Sequence, residues 1–164
     1  MHIKELEYHS PVSLAEACRL LHSGGSGTKV IAGGTDILLD LKKGILKAVS
    51  LISLAGISEL KRIERRASTR PHPSTLNPLP YTLFLGPLVT PNMLAGSDLV
   101  RKIFPGLAAA AASMAANQIR NLATIGGNLC SAVPSADLPP SLLTVEAELL
   151  LTARSGKRRI ALRD

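Results

Sequence analysis

The hydrophobic and polar positions of the first sixty residues switch between a helical and a strand period. Ser13 and Glu16 have the spacing of a capping box, in which each side chain accepts from a free amide of the first turn. Residues 29–32 predict a short buried strand and residues 48–54 a second strand. Residues 37–43 between them predict a short helix that stops at a glycine. The pattern therefore predicts an N-terminal helix followed by a strand, a loop, a helix and a strand. The first helix is expected to turn one face inward, made of Leu14, Ala17, Cys18 and Leu21.

The second part of the chain has a less regular pattern. Residues 64–82 contain four prolines and little periodicity, which predicts a loop or a linker. A strand is predicted at 81–85 and a short helix at 99–103. Pro105 suits the first turn of an Ala-rich helix over 105–118, whose small side chains would let it approach a neighbouring sheet closely.

The last forty-four residues begin with a stretch rich in loop-forming residues, 121–140. A short helix at 141–145 and a strand at 146–152 follow, and Ser155 and Gly156 predict a hairpin turn into a return strand at 157–162. Because the sequence stops directly after this strand, we expect that it is truncated within a fold.

The amino-acid composition limits the classes of protein to which this chain can belong. The chain has 164 residues, of which 46% are hydrophobic and 19% charged, so it is expected to fold as one domain or two small subdomains. Aromatic residues amount to 2%, too few for a surface that stacks nucleobases on aromatic rings. Two cysteines are too few for a disulfide framework, and the four histidines form no close metal-ligand pair. The charged N-terminus does not resemble a signal peptide, and the uncharged stretches are broken by Pro and Gly, which predicts a cytoplasmic protein without a membrane span.

The formal net charge of +7 is unevenly distributed. Residues 1–60 carry six basic and six acidic side chains, so the excess lies in the remainder, much of it at 61–70 and 154–163. These runs suit a solvated face or a subunit contact, and the alternative is a patch that binds nucleic acid.

Two stretches combine paired glycines with polar side chains, and we call residues 32–36 the first glycine loop and residues 124–128 the second glycine loop. Glycine lets the backbone approach a ligand closely, and successive exposed amides form a site for an anion. Thr35 and Thr124 would add hydroxyl donors. Two such loops facing each other would hold a pyrophosphate from both sides, although ordinary turns also use Gly-Gly.

Asp137 lies in a proline-framed stretch and could accept hydrogen bonds from sugar or ribityl hydroxyls, or could cap the helix that follows. The chain has no nucleophile paired with a base, no paired carboxylates and no GxGxxG motif. Side chains alone are therefore not expected to be catalytic, and a redox cofactor would have to supply the chemistry.

Three segments together resemble the FAD-binding (medium) subunit of the molybdenum hydroxylases, the family of xanthine dehydrogenase and aerobic carbon monoxide dehydrogenase. They are YHSPVSLAEACRLL at 8–21, AGGTDILLDLKKG at 32–44 and NQIRNLATIGGNLCSAVPSADLPPSLLTVEAELLL at 117–151. The resemblance implies the α+β, two-subdomain FAD-binding fold of the vanillyl-alcohol-oxidase and CO dehydrogenase flavoprotein type. Residues 1–60 would form the small subdomain and residues 61–164 the larger one, incomplete because the family's C-terminal domain is absent, with FAD between them.

The resemblance also implies FAD as the cofactor and assigns its contacts to both glycine loops and to Asp137, with no catalytic side chain and no metal ligand. The implied contacts are Ala32, Gly33, Gly34, Thr35, Asp36, Ile37, Ala123, Thr124, Gly126, Gly127, Asn128 and Asp137.

The function implied by the resemblance is electron transfer within a larger oxidoreductase. A molybdopterin-binding large subunit would oxidise the substrate, and iron–sulfur clusters of a small subunit would carry electrons to this FAD and on to NAD or another acceptor. One alternative is a truncated remnant that keeps the fold but binds FAD weakly or not at all. Another is a basic module that binds nucleic acid.

Overall fold

A computed structural model describes residues 6–67 and 81–164. The first part alternates strands and helices, with two short 3-10 turns at Gly25–Gly27 and Ser58–Lys61. Its elements are β1 (Glu7–His9), α1 (Leu14–Ser23), β2 (Thr28–Ile31), α2 (Ile37–Lys43), β3 (Ser50–Ser53) and β4 (Ile63–Ala67).

The second part is mostly helical and ends in a hairpin. Its elements are β5 (Tyr81–Leu85), α3 (Pro91–Gly96), α4 (Asp98–Ile103), α5 (Pro105–Ser113), α6 (Asn117–Leu122), α7 (Ile125–Ser131), α8 (Leu138–Thr144), β6 (Glu148–Ala153) and β7 (Gly156–Ala161). No described helix is long and apolar enough to cross a membrane.

Three parallel strands form the first sheet, in the order β1-β3-β2. The central strand β3 is buried along its whole length, including its two serines, Ser50 and Ser53. Burial of a central strand is typical of a parallel sheet. The N-terminal helix begins as predicted, since Ser13 Oγ accepts from the amide of Glu16 at 3.2 Å and the Glu16 carboxylate accepts from the amide of Val12 at 3.2 Å. Its predicted inner face is wrong at Leu21, which is 42% exposed, whereas Leu20 packs against the core.

The hairpin of β4 and β5 corrects the prediction of a loop from residue 64. Ile63 pairs with Leu85 and Ala67 with Tyr81 in an antiparallel ladder, while the rest of the predicted loop, 68–80, lies outside the described residues. Arg66 donates to the Glu64 carboxylate at 2.9 Å and holds the pKa of Glu64 below its ordinary value. The Arg66 guanidinium also lies over the ring of Phe84 in β5, 3.6 Å from its centroid. Charge and cation–π pairing thus support a strand that has little apolar pattern of its own.

Three predictions about the second part of the chain need correction. The helix predicted over 105–118 ends at Ser113, because the turn that follows has Ala115 at a φ of 40°, and a separate helix begins at Asn117. The stretch 121–140 is not a loop but contains α7 and the start of α8. The closest neighbours of α5 are the helices α3, α4 and α8 and not the expected sheet, although Ile63, Leu83 and Leu85 of the β4–β5 sheet pack against the same core cluster.

Two hydrophobic clusters form the core. The larger one lies among the helices of the second part and includes Leu94, Leu107 and Ala111. The smaller one joins α1 and β3 to the following turns through Ala17, Ile52, Ile57, Leu60 and Leu88. The neighbours Leu88 and Val89 belong to different clusters, so this segment holds the two parts of the molecule together.

Candidate functional site

The first glycine loop connects the end of β2 to the start of α2. Gly34 has a φ of 78°, in the left-handed region that favours glycine. Among the described residues no acceptor is found for the amides of residues 33–36. Four successive N–H groups therefore have no partner among the described residues, and such a row of amides can bind an anion.

The second glycine loop differs from that expectation because its amides are already used. Thr124 is the N-cap of α7, and its Oγ1 accepts from the amide of Gly127 at 3.1 Å. The amides of Ile125 and Gly126 donate to the carbonyls of Val89 and Pro87, both at 2.9 Å. The amide of Asn128 donates to the carbonyl of Thr124 at 2.9 Å. This loop lacks the row of free amides that the first one offers.

The two glycine loops lie side by side. A Cβ placed on Gly33 would be 1.8 Å from the carbonyl oxygen of Leu122 and 3.1 Å from Cα of Ala123. At the far end of α7, Ser131 Oγ donates to a carboxylate oxygen of Asp36 at 2.5 Å. Residues 95 positions apart in the sequence are thus in direct contact. We call the region where the two loops adjoin the crevice.

The glycines of the two loops have different roles. Gly33 and Gly126 allow the protein to pack on itself, since a Cβ on Gly126 would be 2.8 Å from the carbonyl oxygen of Pro87. A Cβ on Gly34 would press on Leu38 at 3.1 Å. A Cβ on Gly127 would approach one described atom, Thr124 Oγ1, at 3.0 Å. Of these four glycines, Gly127 is therefore the one whose missing side chain is least explained by packing within the protein.

The other predicted contacts are grouped around this crevice. Ala32 begins the first loop and Ile37 follows it, and both are half-buried; Ala123 is buried directly before the second loop. Asn128 Oδ1 accepts from the amide of Leu138 at 3.4 Å, which brings the start of α8 to the second loop. Asp137 is exposed at the N-cap position of α8 but makes no side-chain capping bond, so the capping alternative is not what the structure shows.

Sequence reasoning missed residues that act by supporting the crevice. Pro87 accepts from Gly126, and Ser131 bridges to Asp36, yet neither has a pattern in the sequence that reveals a partner far along the chain. A surface cavity of about 510 Å³ between the start of α5 and α8 touches neither loop. Within residues 6–67 and 81–164, no cluster of three or more His, Cys, Asp or Glu side chains is placed to hold a metal ion.

Comparison with known proteins places these features in context. Residues 4–164 match a family described as the FAD binding domain in molybdopterin dehydrogenase. The carbon monoxide dehydrogenase medium chain of Hydrogenophaga pseudoflava is 34% identical over 154 residues, which are 94% of this chain and 49% of that one. The xanthine dehydrogenase FAD-binding subunit of Escherichia coli O157:H7 is 31% identical over 151 residues, 92% of this chain and 47% of the relative. The chain thus spans about half the length of these curated relatives.

Solved structures show the same likeness. Carbon monoxide dehydrogenase from Hydrogenophaga pseudoflava, in a form that lacks the Mo-pyranopterin moiety, superposes with a TM-score of 0.86 at 33% identity, covering 99% of this chain and 52% of that chain. Reconstituted CO dehydrogenase from Oligotropha carboxidovorans gives a TM-score of 0.88 at 29% identity, covering 100% of this chain and 53% of that chain.

Proposed function

The chain belongs to the family of FAD-binding domains of molybdopterin dehydrogenases, and on that premise we propose that it is the flavin-carrying part of a molybdopterin-dependent oxidoreductase. The predicted family and α+β FAD-binding fold are confirmed. The relatives are named as subunits of carbon monoxide and xanthine dehydrogenases, which supports the oxidoreductase role.

The free amides of the first glycine loop carry the proposal for where FAD binds. The diphosphate of FAD is an anion, and the backbone N–H groups of residues 33–36 have no competing acceptor among the described residues. The Thr124 hydroxyl accepts from Gly127 and keeps its own proton, which it can donate to a phosphate oxygen. The residues present therefore fit the diphosphate of the cofactor. The first loop would supply hydrogen-bond donors, and the missing side chain of Gly127 in the second loop would let the backbone approach the phosphates.

The remaining contacts are proposed with distinct roles. Asp137 has no capping bond and is free to accept from the ribityl hydroxyls. Asp36 is held by Ser131, so its carboxylate orients the first loop. Gly33, Ala123 and Gly126 shape the crevice by close packing. Ala32, Ile37 and Asn128 would line it.

The chemistry of the reaction comes from the cofactor: when bound, FAD accepts electrons and passes them to an acceptor. The residues of this chain bind the diphosphate, orient the ribityl chain and fix the distance between the two loops. Iron–sulfur clusters of a small subunit are the proposed electron source, a molybdopterin-binding large subunit the site of substrate oxidation, and NAD or another compound the acceptor. We also propose a cytoplasmic location and a division into subdomains 1–60 and 61–164.

Titration of the 164-residue chain with FAD, followed by flavin fluorescence and by the thermal midpoint, tests the proposal. Saturating FAD at a hundredfold its Kd stabilises the folded state by about 2.7 kcal/mol, because the ligand binds that state alone. Riboflavin, which lacks the diphosphate, is the matched control and should bind much more weakly. Equal binding of both ligands would contradict the diphosphate site, and a chain that binds neither would be the remnant. Co-purification with molybdopterin-containing and iron–sulfur subunits tests the proposed assembly.

A further inference from the structure

Helix α6 has no buried apolar side chain that would hold it against the rest of the protein. It has six residues and none of them is buried, with Ile119 38% exposed and Leu122 59% exposed. Helices this short are not stable in isolation and depend on tertiary contacts. Something other than apolar packing must therefore fix the position of α6.

The side chain of Asn92, on α3, supplies that contact. Its amide nitrogen donates to Asn117 Oδ1 at 2.9 Å and to Asn121 Oδ1 at 2.6 Å. Its oxygen accepts from Nε of Arg120 at 3.2 Å. One side chain thus binds three residues of α6, and its own helix is anchored in the core by Leu94, which is fully buried.

Arg120 extends this network to the turn before α6. Its guanidinium donates to the carbonyl oxygens of Met114 at 2.8 Å and Ala115 at 2.6 Å. Ala115 has a φ of 40°, a conformation that is costly for a residue with a side chain. The half-buried Arg120 therefore ties the turn at Met114 and Ala115 to α6.

The end of α6 is the surface against which the first glycine loop packs. The carbonyl oxygen of Leu122 lies where a Cβ of Gly33 would be, and Ala123 follows at the same contact. Any movement of α6 therefore changes the width of the crevice between the two glycine loops.

We infer that Asn92 is a positioning residue of the FAD site, because its three hydrogen bonds fix α6 and, through Leu122, the separation of the two glycine loops. This inference rests on the proposed function. Asn92 lies outside both loops and is not expected to touch the cofactor; it acts through the backbone of α6.

Replacement of this side chain in the 164-residue chain tests the inference. Asn92→Ala removes all three bonds and should raise the Kd for FAD at least about fivefold, from the loss of several hydrogen bonds that hold the site. Amide hydrogen exchange of residues 117–123, measured without FAD, should become faster at the same time. Ile57→Val is the matched control, since it removes a methyl group from the smaller core cluster and lowers the thermal midpoint without touching α6.

Both measurements are made at a temperature where circular dichroism shows every variant to be folded. Should Asn92→Ala fail to fold, Asn92→Leu keeps the size of the side chain but removes its donors and its acceptor, and it should give the same two changes. An unchanged Kd for Asn92→Ala or Asn92→Leu, or a Kd increase of equal size in Ile57→Val, overturns the inference. Faster exchange with a raised Kd in the Asn92 variants alone supports it. Failure of the proposed function is a different result, in which the unaltered chain itself binds no FAD and the inference falls with it.

Discussion

At the scale of single residues, two glycines that look equivalent in the sequence have opposite reasons for being glycine. Gly33 has the backbone of Leu122 and Ala123 directly against it. A Cβ on Gly127 would meet one described atom outside the backbone of its own helix, the Thr124 hydroxyl that accepts from the Gly127 amide. The first glycine is required by the protein's own packing, whereas the second leaves room for a ligand.

Gly33→Ala should destabilise the protein. The added methyl group would be 1.8 Å from the carbonyl oxygen of Leu122, and backbone atoms cannot rotate away. We expect a loss of about 2 kcal/mol or more of unfolding free energy, at the upper end of overpacking effects. Urea denaturation measures it, and an unchanged midpoint would mean that the loops are not in contact.

Gly127→Ala should weaken FAD binding while leaving the stability of the protein almost unchanged. The Thr124 hydroxyl needs to move by only a few tenths of an ångström, so the unfolding free energy should change by less than about 1 kcal/mol. The affinity for FAD should nevertheless fall at least about tenfold, because the methyl group occupies the close approach that glycine allows. Gly106→Ala is the control, since a Cβ there meets nothing within 4 Å. Normal FAD affinity in Gly127→Ala would contradict a ligand at this position.

At the scale of elements, local signals fix the start of α1. Ser13→Ala removes the hydroxyl that accepts from the amide of Glu16 and should cost about 1 kcal/mol of unfolding free energy. Ser23→Ala removes a hydroxyl at the other end of the same helix, where it donates to Leu20, and should cost much less. Equal losses in the two variants would show that capping does not stabilise this helix.

Helix α5 depends on its small side chains where it meets other helices. Ala111 is fully buried against α3 and α8, while Ala109 on the same helix is exposed. Ala111→Leu should therefore lower the unfolding free energy by about 1–3 kcal/mol through overpacking. Ala109→Leu should stay within about 0.5 kcal/mol of the unaltered chain in urea denaturation. A tolerated leucine at 111 would mean that the helices do not approach as closely as the structure has them.

At the scale of the whole molecule, contacts between its two parts predict one cooperative unfolding transition. Leu88 packs in the cluster formed by α1 and β3, and Gly33 packs on Leu122. Unfolding of either part would expose residues of the other that these contacts cover, so the two parts should unfold together. The fluorescence of each of the two tyrosines monitors the unfolding of a different part, because Tyr8 lies in β1 and Tyr81 in β5. Fluorescence of Tyr8→Phe and Tyr81→Phe should show the same urea midpoint once corrected for the stability of each variant. Separate midpoints would favour independent subdomains.

Local patterns were sufficient for elements that are stabilised by their own residues. The bounds of α2, with Gly44 in the left-handed region after it, follow from capping chemistry. The hairpin predicted from Ser155 and Gly156 is present, but it turns one residue earlier, at 154–155, because Gly156 already pairs with Ala153 as the first residue of β7. The helical start at Thr124 was missed because Gly126 and Gly127 have low helix propensity. Hydrogen bonds from α7 to Val89 and Pro87 stabilise it, and these partners lie far away in the sequence.

The sequence by itself determined the family and the alternation of strands and helices in the first part, because both depend on motifs of residues close together in the chain. It also predicted the two glycine loops as the cofactor site, which remains a proposal. The tertiary structure alone decided which amides are free, which glycines serve packing, and that Asn92 supports α6. Those properties depend on which atoms meet across long separations in sequence, and hydrophobic patterning constrains that only weakly. A hydrogen bond between Ser131 and Asp36 exists because the fold brings two loops together, and neither residue type requires the other.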